Sequence, residues 1–324
     1  MRVLITGGAG FIGSHLAEEL LERGHMVHVI DDLSTGSLRN IDHLRSSPRF
    51  NIAVESILNE TVMDRLVSEC DIIYHLAASV GVELIVNKPV AVIETNILGS
   101  EIVLKLANRY LKKVIVTSTS EIYGKSTKTP FKESDDRVLG PTTKSRWSYS
   151  SSKAIDEFLA LAYHKEKKLE VIIARLFNTV GPRQTGQYGM VLPRFVVQAI
   201  KGEPITVYGD GKQVRCFAFV GDVVEALVNL SENNSAIGQI FNIGNDSPIS
   251  IIDLANKVKK VTNSDSEIRF VPYDEAYEEG FEDMAIRVPD LTKIKTLIGY
   301  EPKVHIDEII QRVVDYFLVD KLKF

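Results

Sequence analysis

The sequence has few of the features that would point to a disulfide framework, a metal centre or a membrane anchor. Its 324 residues include two cysteines, Cys70 and Cys216, without the spacing of a metal site or a disulfide framework. We therefore predict no bound metal and a reducing, cytoplasmic location. No apolar stretch approaches the roughly 18 residues that cross a bilayer. Because the first residues also lack the layout of a signal peptide, we expect no membrane partner.

An excess of positive charge is absent as well. Lysine and arginine number 38 against 43 aspartates and glutamates, which gives a formal net charge of −5. Binding to nucleic acid calls for a basic surface, so we expect no nucleic-acid partner. With 44% hydrophobic residues, the chain can bury a large core, and its length suggests two lobes.

A glycine-rich turn between a strand and a helix opens the chain. Residues 2–5 are predicted to form a buried strand, and residues 6–13 read Thr-Gly-Gly-Ala-Gly-Phe-Ile-Gly before a helix. Gly7 and Gly10 permit a tight turn and close backbone approach, while Gly13 lets the helix pack on the strand. The helix N-terminus offers free N–H groups and a positive dipole end to a pyrophosphate.

A second strand, residues 26–30, ends at the acidic pair Asp31 and Asp32, eighteen residues past Gly13. A carboxylate at this point can hold a ribose 2′-hydroxyl and would repel a 2′-phosphate. The pattern therefore favours NAD over NADP.

Strand-like and helical segments alternate along the rest of the chain, as a doubly wound parallel sheet requires. Further strands are predicted at 50–54, 71–76, 113–117, 170–175 and 239–243, and helices at 59–68, 90–110, 149–166, 190–201, 221–231 and 251–261. We predict an α/β fold: a Rossmann-type doubly wound parallel sheet with a smaller α/β C-terminal substrate-binding lobe. The NAD-binding lobe would comprise residues 1–178 and a return of the chain at about 217–245, and the other lobe residues 179–216 and 246–324.

Tyr149 and Lys153 are four residues apart in a predicted helix, which places both side chains on one face. Tyrosine ordinarily titrates near about 10. A neighbouring ammonium favours the phenolate, which can take a proton from a sugar or alcohol hydroxyl. The spacing alone fits an ordinary helix face equally well, so the assignment depends on the rest of the chain.

Six motifs in order give the chain a resemblance to the extended short-chain dehydrogenases/reductases that modify nucleotide sugars. They are residues 6–13, Asp31-Asp32-Leu33-Ser34-Thr35-Gly36, His75-Leu76-Ala77-Ala78, residues 117–124 (Thr-Ser-Thr-Ser-Glu-Ile-Tyr-Gly), Tyr149 to Lys153, and residues 175–183 (Arg-Leu-Phe-Asn-Thr-Val-Gly-Pro-Arg). The resemblance covers nearly the whole length. It implies NAD as cofactor, a UDP-sugar as substrate, and a homodimer formed through the helices near 92–110 and 150–165.

The resemblance also implies roles for individual residues. Tyr149 would be the base towards the sugar C4 hydroxyl, Lys153 would grip the nicotinamide ribose, and Thr119 would hydrogen-bond the same hydroxyl. NAD would take the C4 hydride and leave a 4-keto sugar. Together with Tyr149 and Lys153, the implied cofactor-binding residues are Gly7, Gly10, Phe11, Ile12, Gly13, Asp31, Asp32, Ser34, Gly36, Ser56, Ile57, Leu76, Ala77, Ala78, Asn96 and Thr117.

A second implied set would bind the substrate. Asn178 and Arg215 match positions that bind the diphosphate, and Arg287 matches a position near either the phosphate or the hexose. Arg146 could pair with a carboxylate or phosphate through its planar fork. The uridine-binding segments would contribute Val191, Leu192, Arg194 and Tyr208.

The residues after Thr119 bear on the reaction. In related 4,6-dehydratases the corresponding threonine is followed by Asp and Glu, whereas here it is followed by Ser120 and Glu121. Serine is a far poorer general acid, which argues against simple loss of water from C6. Glu121 can act on C5 beside a 4-keto group. Thr-Ser-Glu and the run Arg146-Trp147-Ser148-Tyr149 resemble UDP-glucuronate decarboxylases, so we predict decarboxylation or C5 epimerisation.

Three alternatives remain open from the sequence. One is a UDP-sugar 4-epimerase of the UDP-glucose, UDP-glucuronate or UDP-N-acetylglucosamine type. Another is a 4,6-dehydratase-like or 4-keto-sugar oxidase/reductase step in deoxysugar biosynthesis. The third is a non-catalytic dinucleotide sensor, although a sensor has no need for the Thr119, Tyr149 and Lys153 combination. Residues 181–189 are predicted to cover a ligand, residues 274–283 to form a solvated surface, and residues 79–82 offer no marked polar contact to a substrate.

Overall fold

The computed structural model describes residues 1–81, 88–186, 190–276, 282 and 284–321. Its strands are β1 (Arg2–Thr6), β2 (Met26–Asp31), β3 (Phe50–Val54), β4 (Ile72–His75), β5 (Lys113–Thr119), β6 (Val171–Leu176), β7 (Thr179–Val180), β8 (Ile205–Tyr208), β9 (Val214–Cys216), β10 (Ala218–Phe219), β11 (Gln239–Ile243), β12 (Pro248–Ser250), β13 (Ile268–Val271) and β14 (Ile286–Arg287). Its helices are α1 (Phe11–Glu22), α2 (Glu60–Glu69), α3 (Pro89–Tyr110), α4 (Ser148–Lys167), α5 (Val191–Lys201), α6 (Val220–Glu232), α7 (Ile251–Thr262), α8 (Tyr273–Ala276), α9 (Thr292–Ile298) and α10 (Ile306–Lys321).

A seven-stranded parallel sheet lies at the centre, in the order β11-β6-β5-β4-β1-β2-β3. Strand β1 shows why its three central residues are apolar: Val3 and Ile5 pack into one core, and Leu4 packs into the core on the opposite face. Helices α1 and α6 cover the first face, while α2, α3 and α4 cover the second. A parallel sheet buried on both faces is the predicted Rossmann-type architecture, which is confirmed.

The elements predicted for this sheet lie close to their observed positions. The predicted strands at 50–54 and 239–243 coincide with β3 and β11, and the predicted helix at 251–261 matches α7. Gly24 follows α1 with a φ of +88°, as a helix-ending glycine should. The short strands β7 to β10 and β12 to β14, and the helices α8 to α10, are not predicted by the sequence patterns.

A second apolar core lies outside the central sheet. It is built from α5, α7, α10 and the strand β8, with Phe195, Leu254 and Ile310 fully buried. Two small sheets accompany it, β13-β8 and β12-β9-β14. Between these segments the chain contributes α6 and β11 to the central fold. The strand order of the central sheet reverses between β1 and β4, and ligands of such folds bind at the carboxyl ends of the strands near this point.

Candidate active site

A large cleft of about 1270 Å³ lies at the carboxyl ends of the central strands. Most of the residues that the sequence singles out line it together. They are Gly7, Gly10, Phe11, Ile12, Gly13, Asp31, Asp32, Ser34, Ser56, Ile57, Leu76, Ala77, Ala78, Thr117, Thr119, Ser120, Glu121, Arg146, Tyr149, Lys153, Asn178, Val191, Leu192, Arg194, Tyr208, Arg215 and Arg287.

Two predicted cofactor-binding residues, Gly36 and Asn96, are not among the residues that line the cleft. A Cβ at Gly36 would come within 2.8 Å of Asp31 Oδ1, so this glycine makes room for the carboxylate. Asn96 is buried in α3, where its Oδ1 accepts a hydrogen bond from the Ser79 amide at 2.8 Å and its Nδ2 donates to Ser152 Oγ at 3.2 Å. Both residues therefore support the walls of the cleft.

The glycine turn has the geometry that a dinucleotide pyrophosphate requires. Gly7 has a φ of +71°, and a Cβ there would lie 2.9 Å from Ala77 Cα. A Cβ at Gly13 would collide with the Gly7 carbonyl oxygen. Gly10 is the N-cap of α1, and no side chain caps the first N–H groups of this helix. The residues of this first turn line the cleft. These features fit an anion held at the helix N-terminus.

Asp31 ties the end of β2 to the glycine turn. Its Oδ2 accepts a hydrogen bond from the Ala9 amide at 2.9 Å, and its Oδ1 accepts one from the Leu33 amide at 2.8 Å. Burial raises the pKa of this carboxyl, while the backbone donors lower it. Asp32 beside it is exposed and accepts from the Ser34 amide at 2.9 Å. The two acids give this end of the cleft a negative character, which suits a ribose with a free 2′-hydroxyl.

Thr119, Tyr149 and Lys153 lie together as predicted. Thr119 ends β5, and Tyr149 stands in the first turn of α4, where the Thr119 hydroxyl hydrogen-bonds its phenol. Lys153 follows one turn later, with Nζ 2.6 Å from Asp156 Oδ2. The side chains of Lys153 and Asp156 are 3% and 1% exposed, so this ion pair is buried.

The structure corrects the sequence expectation for the phenol. A lysine four residues away was expected to favour the phenolate, but the pKa of Tyr149 is raised above its ordinary value. Burial is the main cause, and the nearby carboxylates of Glu121 and Asp156 raise the pKa further. Lys153 donates to Asp156, so its charge is largely compensated by that carboxylate.

Two arginines converge on Glu121, next to the phenol. Glu121 lies in a short 3₁₀ helix, residues 120–123, that follows β5. Arg146 grips its carboxylate in a bidentate pair, with Nη2 2.9 Å from Oε1 and Nη1 bonded to Oε2. Arg287, from β14, places Nη2 3.8 Å from Glu121 Oε1 and Nη1 3.4 Å from Ser120 Oγ. Arg287 therefore lies beside Ser120 and Glu121, the two residues that follow Thr119.

The residues predicted for uridine and diphosphate also line the cleft. Arg215 on β9 is in register with Arg287 on β14, so the two arginines are neighbours across a strand pair. The Arg194 guanidinium lies 3.9 Å from the centroid of the Tyr208 ring, and its Nη1 donates to Thr206 Oγ1 at 3.1 Å. Val191 and Leu192 begin α5 and pack towards the second core.

Three contacts near the cleft were not found from the sequence. Arg183 lines the cleft with a φ of +69° and donates to Glu18 Oε1 at 2.5 Å, while His15 Nε2 is 3.0 Å from the Pro182 carbonyl oxygen. Glu282 accepts a hydrogen bond from Trp147 Nε1 at 2.9 Å. The sequence marked residues 175–183 and the Arg146–Tyr149 run, but their partners lie more than a hundred residues away.

Some sequence predictions fall outside the described residues. These are 187–189 of the predicted ligand-covering loop, Val82, and 277–281 and 283 of the acidic segment. Among the described residues, no group of three or more His, Cys, Asp or Glu side chains could hold a metal ion. Within the same part of the chain, no helix is both long enough and apolar enough to cross a membrane.

The arrangement of glycine turn, Thr119, Tyr149 and Lys153 agrees with the comparison to known proteins. Residues 4–313 match the family model described as GDP-mannose 4,6 dehydratase. The chain belongs to this family. The predicted resemblance to extended short-chain dehydrogenases/reductases that modify nucleotide sugars is thereby confirmed, and like other members of the family the chain is an enzyme.

Three relatives in this family illustrate its range. The chain is 43% identical over 317 residues to UDP-N-acetyl-alpha-D-glucosaminuronate decarboxylase of Bacillus cytotoxicus, covering 98% of this chain and 97% of the relative. It is 40% identical to UDP-glucuronic acid decarboxylase 1 of Arabidopsis thaliana, covering 98% of this chain and 70% of the relative. The solved UDP-glucuronic acid 4-epimerase of Bacillus cereus, in complex with UDP-glucuronic acid and NAD, is 30% identical with a TM-score of 0.89 and covers 99% and 100% of the two chains.

Proposed function

We propose that this enzyme is an NAD-dependent decarboxylase of a UDP-hexuronate. The chain is an NAD-dependent enzyme that modifies a UDP-sugar, and the two decarboxylases described above, both similar to it, are named for UDP-hexuronates. The observation that carries the finer proposal is the convergence of Arg146 and Arg287 on Ser120 and Glu121, directly beside Tyr149. Arg146 is already paired bidentately with Glu121, whereas Arg287 lies 3.8 Å from that carboxylate, so Arg287 is the guanidinium group that a carboxylate at C6 would meet.

NAD would lie along the glycine turn. The N-terminus of α1 would hold its pyrophosphate, Asp31 and Asp32 its adenosine ribose, and Lys153 its nicotinamide ribose. When bound, NAD supplies a hydride acceptor for C4 and later a hydride donor to the same carbon. The tight approach of Gly7 to Ala77 and the uncapped helix N-terminus support this assignment.

Tyr149 would accept the proton of the C4 hydroxyl as C4 is oxidised, with Thr119 holding the same hydroxyl. Burial and two carboxylates raise the pKa of Tyr149, so the phenolate that accepts this proton would depend on the positive charges that the Lys153 ammonium and a bound nicotinamide ring would place beside it. Once it has taken the proton, Tyr149 is a phenol again. In that form its O–H is a hydrogen-bond donor to the oxygen at C4. This donor is what the next step requires.

A 4-keto hexuronate is a β-keto acid, because its carboxylate on C5 is one carbon removed from the C4 carbonyl. Breaking the C5–C6 bond releases carbon dioxide and moves the electron pair towards the C4 oxygen, where Tyr149 stabilises the enolate charge. A proton then returns to C5. Our candidate donor is Glu121, which is an ionised carboxylate in its pair with Arg146 and would first take this proton from solvent. Arg287 would orient the departing carboxylate, with Ser120 as its neighbour.

A UDP-sugar 4-epimerase is the second candidate, because the solved structure of UDP-glucuronic acid 4-epimerase matches the whole chain. It would use the same Tyr149, Thr119 and Lys153 but would leave C5 and C6 untouched. Loss of water from C6 is less well supported because Ser120 replaces the dehydratase acid.

One assay separates these outcomes. The purified protein is incubated in deuterated water with UDP-glucose, UDP-N-acetylglucosamine, UDP-glucuronate and UDP-N-acetylglucosaminuronate, and the products are identified by NMR. The proposal predicts a pentose nucleotide with deuterium at C5 from at least one hexuronate. Inversion at C4 with retention of C6 and no deuterium would establish the 4-epimerase instead.

We further propose that the chain is a homodimer whose interface is formed by α3 and α4. These two helices pack on each other, and together they expose Val90, Ile93, Leu98, Ile155 and Phe158. Phe158 alone is 65% exposed, which is unusual for a large aromatic side chain. Light scattering should give twice the monomer mass, and Phe158→Glu should give the monomer mass. The lobe boundaries at residues 178, 217 and 245 also remain predictions, and so does the cytoplasmic location.

A further inference from the structure

A buried chain of polar side chains connects Lys153 to the floor of the glycine turn. It begins at the Ala77 amide, which donates to Thr6 Oγ1 at 3.1 Å, and continues to His75, whose Nδ1 is 2.8 Å from the same oxygen. On the other side of the ring, Nε2 is 3.0 Å from Ser100 Oγ. The Ser100 hydroxyl in turn lies beside the Asp156 carboxylate, whose Oδ1 is buried and makes no hydrogen bond among the described residues. Burial raises the pKa of Asp156, while Lys153 and Ser100 lower it.

The hydrogen bonds of this chain run in one direction. Thr6 is fully buried, and its hydroxyl already accepts from Ala77, so its hydrogen must point to His75 Nδ1. The ring then carries its single proton on Nε2 and donates it to Ser100, whose hydrogen is left for Asp156. With the other tautomer, the Thr6 hydroxyl would have no acceptor among the described residues. A neutral ring is consistent with its pKa, which burial and the nearby Lys153 lower to about 3.

The two ends of this series of polar groups, Ala77 and Lys153, line the cleft, but Asp156 does not. Asp156, Ser100 and His75 lie behind its wall. Asp156 therefore cannot touch a substrate or cofactor. Asp156 lies on the buried side of Lys153, and its Oδ2 accepts a hydrogen bond from Lys153 Nζ at 2.6 Å. The other two N–H groups of the ammonium can then bind a ligand in the cleft.

We propose that Asp156 is a positioning residue: it fixes the Lys153 ammonium from behind, and Ser100, His75 and Thr6 hold Asp156 in register with the glycine turn. This inference rests on the proposed role of Lys153 towards the nicotinamide ribose. It deepens that role, because a buried, flexible lysine needs a fixed acceptor if its ammonium is to meet the ribose in one orientation.

The neighbouring residue on α4 provides a matched control. Glu157 is also a buried carboxylate, and it forms a bidentate pair with Arg175, with Oε2 2.7 Å from Nη2 and Oε1 2.9 Å from Nε. Neither partner lines the cleft. Asp156→Asn and Glu157→Gln therefore both break a buried ion pair on one helix, but only the first should affect Lys153.

The test measures the rate of NAD release from the purified full-length holoenzyme, by rapid desalting and quantification of the free nucleotide, and the steady-state constants with a UDP-hexuronate. Asp156→Asn should release NAD at least tenfold faster and lower kcat 10- to 100-fold, with KM for the UDP-sugar changed less than threefold. Glu157→Gln should change NAD release less than twofold, whatever its loss in thermal stability. Ser100→Ala, a milder change, should accelerate NAD release two- to fivefold.

A double-mutant cycle distinguishes positioning from a general effect on the fold. In a Lys153→Met background, Asp156→Asn should change NAD release by less than twofold, because its route to the cofactor is already gone. The inference fails if Asp156→Asn behaves like Glu157→Gln, or if its effect on NAD release persists in the Lys153→Met background. If the wild-type protein decarboxylates no hexuronate while the NAD-release pattern holds, the proposed function fails and the role of Asp156 stands.

Discussion

Replacing Arg287 by glutamine tests whether this side chain meets a carboxylate on the substrate. Arg287 is 9% exposed and lies 3.4 Å from Ser120 Oγ, at the end of the cleft that holds Tyr149. Its removal leaves the two hydrogen bonds from Arg146 to Glu121 in place, so Glu121 keeps its bidentate partner. The loss should therefore fall mainly on the substrate.

The magnitude follows from the type of contact. A hydrogen bond to a charged group contributes roughly 1.5–3 kcal/mol, and about 1.4 kcal/mol corresponds to a tenfold change in affinity. Arg287→Gln should weaken binding of UDP-glucuronate roughly 10- to 150-fold. Binding of UDP-glucose, which has no carboxylate, should change less than threefold. Arg287→Lys keeps the charge but loses the planar fork, so its effect should be intermediate.

Titration calorimetry in a Tyr149→Phe background measures both affinities without turnover. The informative quantity is the ratio of the two losses, because it isolates the coupling between Arg287 and the carboxylate. An equal loss for both nucleotides would contradict this account and would place Arg287 on the diphosphate, the other location that the sequence left open.

Three further predictions follow. Tyr149→Phe should abolish nearly all turnover and leave UDP binding intact by calorimetry, whereas activity near that of the wild type would remove Tyr149 from the chemistry. Glu121→Gln should still reduce bound NAD with a UDP-hexuronate, seen at 340 nm, but should lose deuterium incorporation at C5; unchanged incorporation would exclude Glu121 as the proton donor. Burial lowers the pKa of His75 to about 3 in the folded protein. As the pH falls below about 6.5, His75 therefore becomes protonated in the unfolded chain but stays neutral in the folded protein. Stability should fall by roughly 1.5 kcal/mol from pH 6.5 to 5 on this account, and urea titrations should show a shallower pH dependence in His75→Gln; an unchanged slope would contradict it.

Local patterns predicted the central fold well. Strand β1, the glycine turn and α1 are recognisable because strand, turn and helix follow one another within 22 residues, and each has its own period or glycine requirement. The strands of the second lobe are two to four residues long, for example β7 and β14, and a segment of that length carries no readable alternation. They exist because pairing with distant strands supplies their hydrogen bonds.

The sequence predicted most of the residues that line the cleft, but it predicted their electrostatics less well. Tyr149 and Lys153 could be paired from their spacing, yet the direction of the pKa shift could not be, because burial and the carboxylates of Glu121 and Asp156 appear only in three dimensions. The contact between Arg287 and Ser120 spans 167 positions, and that between Arg183 and Glu18 spans 165. No local pattern reports contacts at such separations. Nothing in the sequence distinguishes Asp156 from other acidic residues on helices.

Release of carbon dioxide tests the central claim most directly. UDP-glucuronate and UDP-N-acetylglucosaminuronate, each labelled at C6, are incubated with the enzyme as purified, and the labelled gas is trapped and counted. We expect the label to leave from at least one of the two as carbon dioxide in a 1:1 ratio with a UDP-pentose product, without added NAD if the cofactor is retained. Complete retention of the label in a product inverted at C4 would contradict the proposed decarboxylation and identify a 4-epimerase.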